Sequence, residues 1–150
     1  MDKRIQHRFY FPHPPEAVWE YLTKPELMEQ WLMKTNFQPI VGFEFQFITK
    51  PILSLNFDGI CHCKVLEIAP FDRLSYSWQC GPGEGVISLD SVVVWELKPI
   101  DKGTELFLDH SGFEKEENIP FYIGMTDGWL KNLQKISDRL NATENAHPKA

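Results

Sequence analysis

The sequence predicts one α+β domain: a curved antiparallel sheet of about six to seven strands wrapped around a long C-terminal helix, with two short helices after the first strand. Three observations predict it. Over much of residues 4 to 110, apolar side chains fall on every second position, the period of a half-buried strand. Prolines at 14, 15 and 25 precede short apolar clusters, where helices start. From Tyr122 onward, apolar residues recur at three and four, the period of a helix with a single buried stripe. The 150 residues suit one domain that buries roughly 70% of the surface an unfolded chain of this mass exposes.

Along the chain, RIQHRFYF from Arg4 places Ile5, His7, Phe9 and Phe11 on one strand face and Gln6, Arg8 and Tyr10 on the other. Pro14 and Pro15 favour a first helical turn, because the missing N–H would have no partner there, and Val18, Trp19 and Leu22 form that helix's apolar side. Pro25 starts a second short helix with Leu27, Met28, Trp31 and Leu32 on one side. From Gly42 the period becomes two, with Phe43, Phe45 and Phe47 alternating with Glu44, Gln46 and Ile48. Residues 50 to 58 contain Pro51 and read as a loop or edge segment before a strand over about Gly59 to Ile68. APFDR is a turn into Leu74, Tyr76 and Trp78, which alternate with Ser75 and Ser77. CGPGEG, Cys80 to Gly85, reads as a mobile surface loop or hairpin turn. Val93, Trp95 and Leu97 then face Leu106, Leu108 and His110 across the PIDKG turn, giving a closing hairpin. The last helix carries Tyr122, Met125, Trp129, Leu133, Ile136 and Leu140. Its Gly124 and Gly128 serve either close packing against a strand or room for a ligand. The domain is expected over 1–141, and the polar tail 142–150 is expected to be disordered.

Charge and cysteine usage narrow the function classes. With 21 acidic against 15 basic residues, the net charge of −6 repels a polyanion, so nucleic acid is not an expected partner. The N-terminus has no apolar signal core and there is no run of 18 apolar residues, so a cytoplasmic protein without membrane partners is expected. Cys61, Cys63 and Cys80 are odd in number and contain no C-x-x-C pair, which fits reduced thiols. A zinc site at Cys61, His62 and Cys63 is not expected, because alternation turns His62 away from both thiols. Asp109, His110 and Ser111 cannot form a local relay for the same reason, and no G-x-S-x-G occurs, so catalysis, cofactors and metals are not expected.

Eleven Phe, five Trp and four Tyr are many for this length. Each ring can bury roughly 150 to 250 Å², and a buried indole N–H or phenol O–H needs a partner. Trp31, Phe45, Tyr76, Trp78, Trp95, Phe113, Phe121 and Trp129, with Met125, are therefore the candidate lining of an apolar cavity under the last helix. For His110 two roles remain open: a hydrogen-bonded core residue, or the polar group that orients a ligand at one end of the cavity.

Taken in order, these fragments resemble a known family over nearly the whole chain. Pro15, Val18, Trp19, Pro25, Glu26, Leu27 and Trp31 match its helix pair, and Gly42 and Phe45 match its G-G-x-F strand start, with Phe43 in place of the second glycine. VLEIAPFDRLSYSW from Val65, the G-T-x-L at Gly103, H-S-G-F at His110 and G-W at Gly128 complete the match. The family is the Hsp90-ATPase-activator-homologue branch of the START-like, helix-grip superfamily. The resemblance implies a deep hydrophobic pocket between sheet and long helix that takes lipid-like or polycyclic molecules. It implies as the alternative a chaperone-binding module of the Hsp90 type, and more remotely a cavity-based cyclase or hydrolase.

Overall fold

In the computed structural model, which describes residues 3–146, the elements run β1 (Lys3–Phe11), α1 (Pro15–Thr23), α2 (Pro25–Trp31), β2 (Lys34–Thr35), β3 (Glu44–Ile48), β4 (Ile60–Ala69), β5 (Arg73–Cys80), β6 (Leu89–Ile100), β7 (Gly103–Phe113) and α3 (Ile119–Ala146). The strands form one antiparallel sheet in the order β1-β7-β6-β5-β4-β3-β2. This is the helix-grip arrangement: a curved sheet holding a long terminal helix, with a helix pair after the first strand.

Local chemistry explains the boundaries. Pro15 and Pro25 each stand at a helix start. Lys24 is extended (φ −100°, ψ 119°) and serves at once as the end of α1, where its N–H donates to the Glu20 carbonyl, and as the residue before α2. One residue thus sets the angle between the two helices, and Pro25 forbids a continuous helix. The segment 50–58 is a loop with a single 3-10 turn at Leu53–Leu55. The CGPGEG loop closes through a bridge between Gly83 and Val86. Gly83 (φ +112°) and Gly85 (φ +78°) take the left-handed conformations that such a turn requires.

Two boundaries differ from the sequence reading. The two-residue β2 has no periodicity long enough to show in the sequence, and it exists because Thr35 pairs with Phe47 and its hydroxyl donates to the Gln46 carbonyl. At the other end α3 continues through Ala146, beyond the expected limit at 141. Ala142, Glu144 and Ala146 are good helix formers, and adding residues to an existing helix is far easier than starting one. Residues 147–150 of the expected tail lie outside the described residues.

The core lies between the concave face of the sheet and α3. From β3 to β7, Phe45, Phe47, Cys61, Cys63, Val65, Leu74, Tyr76, Trp78, Val93, Trp95, Leu106 and Leu108 point into it. From the helices come Trp31, Trp129, Leu133 and Ile136. Trp31 of α2 sits between sheet and α3, its ring edge-on to Trp95 (6.0 Å, 82°) and 6.5 Å from Trp129. The aromatic excess is thus spent mainly on a packed centre.

Candidate functional site

The C-terminal half of α3 and its N-terminal half face different surroundings. Leu133, Ile136 and Leu140 are buried. One and two turns from the helix start, Gly124 and Gly128 face open space: a Cβ built on either would meet no atom within 4 Å. Of the two roles open for these glycines, close packing against a strand is therefore excluded. The space beside them is a cleft of ≈ 350 Å³, open on one side.

Three segments build its walls. The end of α2 contributes Leu32 and the following Met33, and the loop after β3 contributes Thr49, Ile52, Leu55 and Phe57. The floor is Cys61 of β4 with Trp78 and Cys80 of β5. Phe121, Met125, Trp129 and Asn132 line the α3 side. Phe57 and Phe121 meet edge-on at 5.9 Å and tie the loop to the start of the helix. Trp78 and Trp129 meet at 5.5 Å and 63° at the cleft's inner end. No charged side chain and no histidine is among the lining residues. The surface is suited to apolar, flat matter, with side-chain hydrogen-bonding groups only at Thr49, Asn132 and the two thiols.

Of the residues expected to line the cavity, Trp78, Phe121, Met125 and Trp129 do so. Trp31, Phe45, Tyr76, Trp95, His110 and Phe113 lie behind it as packed core, none more than 2% exposed. Their polar groups are used internally. The Trp31 indole donates to the Tyr21 carbonyl (2.7 Å) and the Trp95 indole to the Tyr76 hydroxyl (2.9 Å). Burial raises the Tyr76 phenol far above its ordinary range, so it stays protonated.

His110 takes the first of its two open roles. An indole can only donate, so the Trp129 Nε1–H places an acceptor at His110 Nδ1 (3.1 Å) and leaves the imidazole proton on Nε2. Nε2–H then donates to Ser91 Oγ (2.9 Å), whose hydroxyl donates to the Trp78 carbonyl (2.7 Å). Both ring nitrogens are occupied and the residue is 0% exposed, so His110 is not the polar anchor of the cleft. Loss of hydration lowers its pKa to about 3, so the ring is neutral at neutral pH. Its work is to hold Trp129 against β6, β7 and β5, which fixes one wall of the cleft.

Cys61 and Cys63 share the buried face and His62 is exposed, as strand alternation requires. The Cys61 and Cys80 sulfurs are 3.3 Å apart on neighbouring strands, and all three cysteines are free thiols. The hydrogen bond with Cys80 and burial push the Cys61 thiol up, and burial does the same to Cys63. Among the described residues no group of three metal-ligating side chains comes together.

Most of the lining that sequence reading missed comes from the loop 49–57 and from Leu32 and Met33. The loop residues carry no periodic signal, and Leu32, which does, reads as part of the helix's own apolar side. Gly124 and Gly128, four apart on one side of the last helix, were the one clue available.

Comparison with known proteins now decides the lineage. Residues 12–141 match the family described as Activator of Hsp90 ATPase homolog 1-like protein. The chain belongs to that family. A solved family-like structure, protein MLL2253 from Mesorhizobium loti, is 33% identical, with 94% of this chain and 98% of that one aligned at a TM-score of 0.83. Two more distant structures share the fold: the Aha1 dimer from Colwellia psychrerythraea (18% identity, TM-score 0.72, 91% of this chain and 94% of that one) and DynU16 of the dynemicin biosynthetic locus (21%, TM-score 0.74, 94% of this chain and 48% of that one). No curated protein matches the sequence. Within the family's fold, the cleft of this chain lies at the start of α3, where the two glycines are. No helix among the described residues is long and apolar enough to cross a membrane.

Proposed function

We propose that the protein binds a small hydrophobic ligand, aromatic or lipid-like, in the cleft between the sheet and the N-terminal half of α3. The observation that carries this reading is the pair Gly124 and Gly128. Each lowers helix stability by about 1 kcal/mol relative to alanine, and alanine would fit at both positions without touching anything within 4 Å. Residues that weaken a helix without easing any packing are explained by what the space is kept for. The apolar lining and the two indoles at the inner end supply burial and stacking surface.

The lining holds no Asp, Glu, His, Lys or Arg, so the reading is of a binding site rather than a catalytic one. Three free thiols fit a reducing, cytoplasmic setting. The test is a screen of lipid and polyphenol libraries by NMR of the indole N–H resonances. A hit should perturb Trp78 and Trp129 while leaving Trp19 and Trp31 nearly still; a full screen without such a perturbation would sink the proposal.

The family description favours a second reading, contact with an Hsp90-type chaperone. Stimulation of a bacterial Hsp90 ATPase by the purified chain, insensitive to filling the cleft, would select that reading over the first.

A further inference from the structure

Gly124, Gly128 and Asn132 stand four apart on α3, so they lie one above another on a single stripe of the helix, and all three line the cleft. From Gly124 to Asn132 the stripe runs about 12 Å along the helix axis. Its residues are poorer helix formers than the Lys131, Leu133 and Lys135 around its end. Two of them leave bare backbone beside open space, and the third closes the stripe with a primary amide. Among the side-chain hydrogen-bonding groups of the lining, this amide is the one a ligand on the helix would cover. The Cys61 and Cys80 thiols belong to residues only 1% exposed, and Thr49 is an exposed residue of the opposite wall. Asn132 is half-buried, and its side chain makes no hydrogen bond with any described residue. While the cleft is open, solvent can serve the amide. A molecule lying along the stripe displaces that solvent, and an amide then left unpaired is unfavourable.

From this we infer that the ligand is an elongated apolar molecule, two or three rings long, with a hydroxyl at one end that pairs with the Asn132 amide while its body lies on the bare backbone at Gly124 and Gly128. The inference rests on the binding reading above and adds the ligand's length and its polar end. The stripe sets the length. The amide sets the end group: it offers both a carbonyl acceptor and an N–H donor, and a hydroxyl can use either, whichever way the amide is turned. A hydrocarbon of the same length would cover the amide and pair nothing. The half-buried side chains of Met33, Leu55 and Met125 give the body apolar surface within its reach. Asn132 is thereby the residue that selects one apolar molecule over another.

Three probes test this on the full chain labelled with nitrogen-15: 4-hydroxybiphenyl, 2-hydroxybiphenyl and biphenyl. Affinities come from NMR titration, and the Asn132 side-chain amide resonances are assigned through Asn132→Leu, a change of similar volume at a half-buried helical position. The 4-hydroxy compound should bind tightest and should be the probe that moves the Asn132 amide protons downfield. In Asn132→Leu the affinity ratio of 4-hydroxybiphenyl to biphenyl should fall about tenfold, because the hydroxyl then loses its partner. If that variant does not fold, the amide protons of the unmodified chain decide the matter. A ratio unchanged in the variant, or amide protons that respond alike to 4-hydroxybiphenyl and biphenyl, would overturn the role of Asn132 and leave the binding reading standing. Equal binding of the two hydroxy isomers would overturn the placement of the hydroxyl at the end of the molecule. Failure of all three to bind would overturn the binding reading as well.

Discussion

Replacing Gly124 and Gly128 together by alanine should make the protein more stable and a worse binder. Each substitution removes backbone freedom from the unfolded chain and should add about 1 kcal/mol in a helix interior. No packing loss opposes the gain, because neither new methyl group meets an atom within 4 Å. The expected sum is about 2 kcal/mol. With a urea dependence near 2 kcal/mol/M this moves the unfolding midpoint up by about 1 M, and the thermal midpoint by about 4 to 8 °C for a chain of this length. Both glycines line the cleft, so the added methyl groups should take up part of its space and affinity for an aromatic probe should fall in the same variant. Opposite signs for stability and binding separate this outcome from simple misfolding, which would lower both. Urea unfolding followed by tryptophan fluorescence, with a parallel probe titration, gives both numbers. A stability that stays level or drops would show that the helix packs closely at these glycines, and the reasoning about the cleft would fail with it.

Two further outcomes follow from the same geometry. His110 has a folded pKa of about 3 against an ordinary 6.5, so between these values the unfolded chain binds the extra proton. Its contribution is therefore fully present above pH 6.5 and falls by up to about 1.4 kcal/mol per pH unit on acidification; imidazole nitrogen shifts should report the neutral Nε2–H form at pH 5, and a protonated ring there would refute the assignment. Gly112→Ala should do the reverse of the helix substitutions: φ is +117° and a Cβ would stand 2.6 Å from the Asp90 carbonyl oxygen, so a loss of at least about 2 kcal/mol is expected in urea unfolding, and a loss below half of that would show that β7 relaxes more freely than described.

The fold was legible because each element carries its own periodic signal. Phe43 to Phe47 alternate, the prolines at 15 and 25 mark helix starts, and Trp129, Leu133, Ile136 and Leu140 keep helical spacing. The cleft was legible only in part. Whether an inward-facing ring fills a core or borders a space depends on the volumes of neighbours far away in sequence, and periodicity reports only the face. Tyr76 and Trp78 illustrate this: they sit two apart on one strand and face the same way, yet Tyr76 is sealed behind Trp95 while Trp78 borders the cleft. Likewise Ile52 and Leu55 belong to an aperiodic loop, so nothing in their spacing could have placed them in a wall.

Pairing of β1 with β7 has a consequence for biosynthesis. Ile5, Phe9 and Phe11 are synthesised well before the strand they pair with, which begins at Gly103. At typical translation speeds of 5 to 20 residues per second, the opening strand waits about 5 to 20 s for its neighbour. During that interval its apolar face stays uncovered, which makes β1 the segment of this domain most in need of protection from association with other chains.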